Sequence, residues 1–186
     1  MSTATQLLTV EEFRSLPDPE DGSRYELHSG ELVRMAPPKH RHIFLQVQLR
    51  KLLEGVAREN FVVHTELAFR ATPEHEFRFS DVGVVSWQRF ASIDPDDNLM
   101  GAPDMVIEVE SPSNTSAELD AKERLCLANG CREFWIVYPT LRYVRVATEN
   151  TTKRYKEGEE IPLQLFPGQS VSVSEIFSIV PNPSQG

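Results

Sequence analysis

Apolar positions recur along the chain with two periods, and the changes between them mark out the elements. From Thr9 to Leu16 the pattern predicts a short helix: Thr9 stands three residues before Glu12, the capping-box spacing, and Pro17 ends it. Arg24 to His28 and Glu31 to Met35 alternate at strand period around Ser29-Gly30, which predicts a hairpin. After Pro37-Pro38, Leu45, Leu49, Leu52, Leu53 and Val56 repeat at helical spacing, so a long amphipathic helix follows whose stripe needs a sheet to cover.

Phe61 to Arg70 and Phe79 to Trp87 read as strands separated by the polar loop Thr72 to Glu76. A loop rich in Asp, Pro and Gly, Ile93 to Ala102, leads to a strand from Asp104 to Glu110. Thr115 with Glu118 repeats the capping box and starts a helix that stops at Asn129-Gly130. Glu133 to Tyr138 is almost continuously apolar, the pattern of a central strand, and Tyr143 to Ala147 alternates beside it. Strand signals near Arg154 and Val171 are weaker, and Pro181 to Gly186 reads as a loose end. The fold class expected is α/β (α+β): a mixed β-sheet flanked by helices, with an N-terminal helix and β-hairpin, in a single domain over residues 1–186 with its core at about 8–147.

Composition narrows the function. At 186 residues, 40% hydrophobic and 25% charged, the chain has the profile of a globular domain large enough to need no disulfide or metal staple. The start MSTATQLLTVEEF lacks the basic, then apolar, pattern of a signal peptide, and no run approaches the ~18 apolar residues of a membrane span, so a cytoplasmic location is expected. Cys126 and Cys131 lack a CxxC spacing and read as reduced packing residues. A net charge of −9 argues against a protein whose affinity comes mainly from phosphate contacts.

The stretch DMVIEVESPSNTSAELDAKERL holds the candidate chemistry. Strand alternation puts Asp104, Val106, Glu108 and Glu110 on one face and Met105, Ile107 and Val109 on the other, which is core. The acidic face must meet solvent, cations or a metal, because unpaired carboxylates are too costly to bury. Asp104 and Glu108 lie ~13 Å apart along a strand and cannot share an ion whose oxygen ligands sit at roughly 2.0–2.1 Å. A second carboxylate must come from another strand, and Asp81, opening the run Val82 to Val85, is the best placed. On the following helix Ala121, Leu125, Ala128, Cys126 and Leu119 share one arc, and Lys122 falls within it. A lysine there must snorkel or find an anion, so Asp81, Glu108 and Lys122 can converge.

RYELHSGELV, the helix led by His42, FSDVGVV, DMVIEVESPSNTS, Lys122 and ANGCREFWIVYP occur in one order, which resembles the Uma-type restriction endonucleases of the PD-(D/E)XK nuclease superfamily over about Leu8 to Tyr143. The resemblance implies a restriction-endonuclease-like core and Mg²⁺- or Mn²⁺-dependent hydrolysis of DNA. Asp81 and Glu108 would be metal ligands, with the backbone carbonyl of Val109 as a third, and Lys122 would act on the nucleophile or the developing charge. Two departures stand out: Glu110 occupies the usual lysine place, and Ser80 rather than Pro precedes Asp81.

Blander readings compete. Glu110 serves equally well on a solvated strand face. His40 and His42 read as incidental at a helix start. Glu26, in YELHSGEL, is a further acidic candidate or a partner for Arg24 or Lys39. Trp87, Phe134 and Trp135 read as core, and Ser111-Pro112-Ser113 as a shaping turn. The alternatives to a DNA endonuclease, which could act as a homodimer, are an inactive nuclease-fold scaffold that binds a protein or ligand partner, and a metal-dependent hydrolase of a smaller phosphorylated substrate.

Overall fold

Both capping boxes form. In the computed structural model, which describes residues 7–112 and 114–178, the Thr9 and Thr115 hydroxyls accept the backbone N–H groups of Glu12 and Glu118, whose side chains return the bond. The helices they start are α1 (Val10–Arg14) and, later, α4 (Ser116–Ala128). The hairpin strands β1 (Arg24–His28) and β2 (Glu31–Met35) pair His28 with Glu31, leaving Ser29 and Gly30 as a two-residue turn with φ of 50° and 84°. Two positive φ values in succession twist the turn with its strands, and glycine at the second position carries its share without strain. Pro181 to Gly186 and Ser113 lie outside the described residues.

The remaining elements are α2 (His40–Val56), β3 (Phe61–Arg70), β4 (Arg78–Ser86), α3 (Trp87–Ala91), β5 (Leu99–Met100), β6 (Met105–Val109), β7 (Glu133–Tyr138), β8 (Tyr143–Ala147), β9 (Thr152–Lys156), β10 (Glu160–Pro162), β11 (Ser170–Ser172) and α5 (Val173–Phe177). Seven strands form the main sheet in the order β5-β3-β4-β6-β7-β8-β9. The β6–β7 and β3–β5 pairs are parallel and the others antiparallel. A parallel pair needs a long crossover, and α4 supplies it between β6 and β7.

Each face of the sheet has its own core. Leu45, Leu49 and Leu53 of α2 pack on Val82, Ile107, Val109 and Trp135. Leu119 and Cys126 of α4 pack on Val85, Val106, Phe134 and Ile136 on the opposite face. Sandwiched in this way, β6 is buried along its whole length, so Val106 joins the apolar core although it shares the acidic face.

Three expectations shift. Trp87 starts α3, is 55% exposed and stacks on Phe90, so it is not core, whereas Phe134 and Trp135 are fully buried. The loop before β6 contains the short strand β5. The apolar core also runs past Ala147: Ile161, Phe166, Val171, Ile176 and Phe177 close the α2 face. One buried carboxylate ties that segment down, since Glu133 accepts the indole N–H of Trp135 and the amides of Gln164 and Leu165. The last two bonds join residues about thirty positions apart, and no local period reveals them.

Candidate functional site

Asp81 lies inside β4, not at a strand end as its place before Val82 suggested. What opens there is the ladder on both sides. β3 pairs Thr65 with Val82 and Leu67 with Ser80 but skips the pair between them, Glu66 and Asp81. On the other side the β4–β6 ladder ends at Val82 and Ile107, one step before Asp81 would face Glu108. Three acids from three neighbouring strands therefore share one row, at the place where the sheet's own hydrogen bonds give out.

The freed backbone and the carboxylates satisfy each other. Asp81 Oδ2 accepts the Val109 amide at 2.6 Å, and its Oδ1 accepts the Gln46 amide at 2.9 Å and meets His42 Nε2 at 2.8 Å. Glu66 has φ of 54°, left-handed geometry that for a non-glycine residue costs on the order of 1–3 kcal/mol. It bonds Gln46 and the Arg24 guanidinium of the hairpin. Donor atoms of His42, Glu66 and Asp81 all lie within 4.8 Å of one another.

Lys122 enters from the other layer. Its buried neighbours on α4 are Leu119 and Cys126, while Ala121 and Ala128 are exposed, so the buried face of α4 is centred on the lysine itself. Its Nζ donates to Glu108 Oε2 at 2.7 Å and to the Phe79 carbonyl at 2.6 Å. Glu26 takes the other side of Phe79, accepting its amide at 3.3 Å. Glu26 is 2% exposed and also meets His28 and Arg78, not Arg24 or Lys39. The Phe79 backbone, beyond the end of the β4–β6 ladder, is thus held by an acid and a lysine in place of a strand.

Charge in the site is compressed. Burial pushes the Glu108 carboxyl up and Lys122 pulls it down, and with Asp81 and Glu26 adding repulsion the net is a rise to about 7. Burial works against the Lys122 ammonium, but Glu108, Glu26 and Asp81 outweigh it and keep the group protonated. For Asp81 burial is likewise overcome, by the bond and charge of His42, the charge of Lys122 and the Val109 amide, so its carboxyl lies below the usual range. His42 is held above its ordinary value, because Asp81 and Glu108 exceed the cost of burial. The same balance, led against burial by Lys122, holds Glu26 down at about 2.

Of the residues expected from sequence, Asp81, Glu108, Lys122 and Val109 come together, with His42 against Asp81 and Glu26 behind Lys122. Val109 meets Asp81 through its amide. Glu110 stands apart from these bonds, half-buried, with its amide on the Val137 carbonyl. Glu66 and Gln46 were not anticipated. Gln46 is a polar residue at a buried position of an apolar stripe, which was a signal; Glu66 reads as one more polar residue of a half-exposed strand. The donor set suits a divalent cation on one structural ground: Glu108 Oε1 is buried with no hydrogen-bond partner among the described residues, beside the carboxylate of Asp81.

Comparisons with known proteins bear on the fold and the family. The structure superposes on a putative nuclease belonging to DUF820 from Anabaena variabilis ATCC 29413 with a TM-score of 0.78 and 22% identity, covering 92% of this chain and 98% of that one. The two therefore share the mixed, helix-flanked sheet. No curated protein matches the chain, and no helix among the described residues is long and apolar enough to cross a membrane. The sequence model of the Uma2 family, described as a putative restriction endonuclease, matches residues 10–174. With nearly all of its folded length matched, the chain belongs to the Uma2 family.

Proposed function

We propose that the protein is a metal-dependent endonuclease that hydrolyses phosphodiester bonds in DNA, with Asp81 and Glu108 as carboxylate ligands of Mg²⁺ or Mn²⁺ and Lys122 as the positively charged partner. The observation that carries the reading is the meeting of Asp81, Glu108 and Lys122, from two strands and a helix, where the sheet ladder ends. Glu66 and His42, whose donor atoms cluster with that of Asp81 on the α2 side, are further candidate ligands, as is the Val109 carbonyl. When bound, the ion supplies an activated water and charge compensation at phosphorus.

The chain's own groups do the rest. The Val109 amide and Gln46 fix both oxygens of Asp81, so that its orientation is set before any ligand arrives. Lys122, tied to the Phe79 carbonyl, presents an ammonium that offsets negative charge developing on the phosphate oxygens. The lysine that other members of the superfamily carry two residues after the glutamate is replaced here by Glu110 and supplied from α4.

Incubation of supercoiled and linear DNA with the protein and Mg²⁺ or Mn²⁺ tests the reading. Cleavage should need the ion, and Asp81→Ala and Lys122→Met should each lower it at least ~100-fold. Equal cleavage by the parent and Asp81→Ala would remove the site. A second reading, a scaffold that binds a partner and cuts nothing, draws on the ion pairs that already neutralise the acids: Arg24 with Glu66, His42 with Asp81 and Lys122 with Glu108. It predicts a folded protein with no ion-dependent cleavage of any DNA form.

A further inference from the structure

The charge of −9 is unevenly spread. Residues 142–156 hold Arg142, Arg145, Lys153, Arg154 and Lys156 against Glu149 alone, a net of +4, so the rest of the chain carries −13. Two of these cations are committed: Arg142 to Glu157, and Arg145 to Asp120 and Glu123 of α4. Lys153, Arg154 and Lys156 are exposed on β9, with no carboxylate partner among the described residues.

Aromatic rings underlie two of them. The Arg154 guanidinium lies 4.4 Å from the centre of the Tyr143 ring, which stacks on Tyr138 at 4.5 Å. Lys153 Nζ lies 5.7 Å from the Tyr155 ring, on the other face of β9. Tyr143, Arg154 and Lys156 line an open cleft beside Arg142. Strand register relates this surface to the candidate site: Glu108 pairs with Ile136, Ile136 with Arg145 and Arg145 with Arg154, one row on one face of the sheet. Three strand spacings make that about 14 Å, the rise of about four base pairs. Arg145 neutralises Asp120 and Glu123, the acids standing between the two.

We propose that the β8–β9 surface, through Arg154 and Lys156 over Tyr143, is a phosphate-backbone grip that holds duplex DNA flanking the Asp81–Glu108 site. The inference rests on the reading of DNA as substrate and gives an acidic protein the local positive field that such a substrate needs. Charges on an edge strand also keep sheets from pairing edge to edge. That task requires no guanidinium seated on stacked tyrosines and no alignment with the carboxylate row, both of which are present.

The test is fluorescence anisotropy of a labelled 30-base-pair duplex with the full chain, free of divalent ions, across a salt series. The double substitution Arg154→Gln, Lys156→Gln should weaken binding at least ~10-fold at low salt and flatten the slope of log K against log salt by about two, at ~0.9 per phosphate contact. Lys156→Gln alone should remove about one unit if the double variant does not fold, and Arg154→Lys should keep the slope. A control neutralising Arg50, Lys51 and Arg58 should change neither. Unchanged affinity and slope in the double variant, no binding by the parent chain, or tighter binding to phosphatidylserine vesicles than to DNA would each overturn the proposal. Mn²⁺ calorimetry on the same variants separates the two readings: if Mn²⁺ fails to bind at the carboxylates while the grip on DNA persists, the metal site falls and this surface stands.

Discussion

At the scale of the residue, Lys122 is the most consequential side chain, because it serves the fold and the proposed chemistry together. It neutralises a buried glutamate and closes the carbonyl that β6 leaves open on Phe79. Breaking such a pair from one side leaves a buried charge, at a cost of about 3–5 kcal/mol. Lys122→Met should therefore lower stability by about 3 kcal/mol at pH 8 and by less at pH 5, where Glu108 is protonated; urea denaturation at the two pH values reads the difference. Glu66 makes the complementary case. Its left-handed backbone is strained for a non-glycine residue and turns the carboxylate toward Gln46 and Arg24. Glu66→Gln should leave the fold intact and weaken Mn²⁺ binding about 10–100-fold by calorimetry, whereas unchanged affinity would exclude it as a ligand.

At the scale of the element, α4 is placed by its ends and by one buried face. Its capping box satisfies two orphan N–H groups, so Thr115→Ala should cost about 1 kcal/mol in chemical denaturation. A greater loss of metal-dependent cleavage than of stability would show that the helix start also sets the reach of Lys122. The hairpin is held more tightly: a Cβ on Gly30 would lie 2.6 Å from that of Leu7, with φ of 84° adding strain. Gly30→Ala should therefore destabilise by more than the Thr115 change.

These elements were legible because their determinants are local: capping residues three apart, alternation in β1 and β2, and the leucine stripe of α2. So was the pairing of Lys122 with Glu108, since a charge on an apolar strand or helix face demands a partner. The ladder skipping at Asp81, the seat of Glu66 beside α2, and the closure by β10, β11 and α5 were not legible. Each depends on pairings between distant segments, as when Glu133 holds Gln164 and Leu165, and hydrophobic period carries no record of them.

At the scale of the whole molecule, the buried acids make stability and metal loading opposite functions of pH. The folded-state value of Glu108, about 7, lies above that of an unfolded glutamate, so the folded protein binds more protons between about pH 4.5 and 7 and loses stability as pH rises through that window. His42, also raised, adds stability that is present below about pH 6.5 and is lost as pH rises through its folded value. Asp81, lowered, acts in the other sense: its contribution holds above its unfolded value near 4 and goes only in stronger acid. The metal-free protein should thus be more stable near pH 5.5 than near pH 8. Mn²⁺ at about 100 times its Kd should restore about 2.7 kcal/mol at pH 8 and far less at pH 5.5, because binding must displace protons; thermal unfolding scans check both. The most direct test of the central claim is anomalous scattering from Mn²⁺-soaked crystals. A peak ~2 Å from carboxylate oxygens of both Asp81 and Glu108, with Lys122 Nζ still beside Glu108, is the result predicted here, and manganese bound elsewhere with these two carboxylates untouched would contradict it.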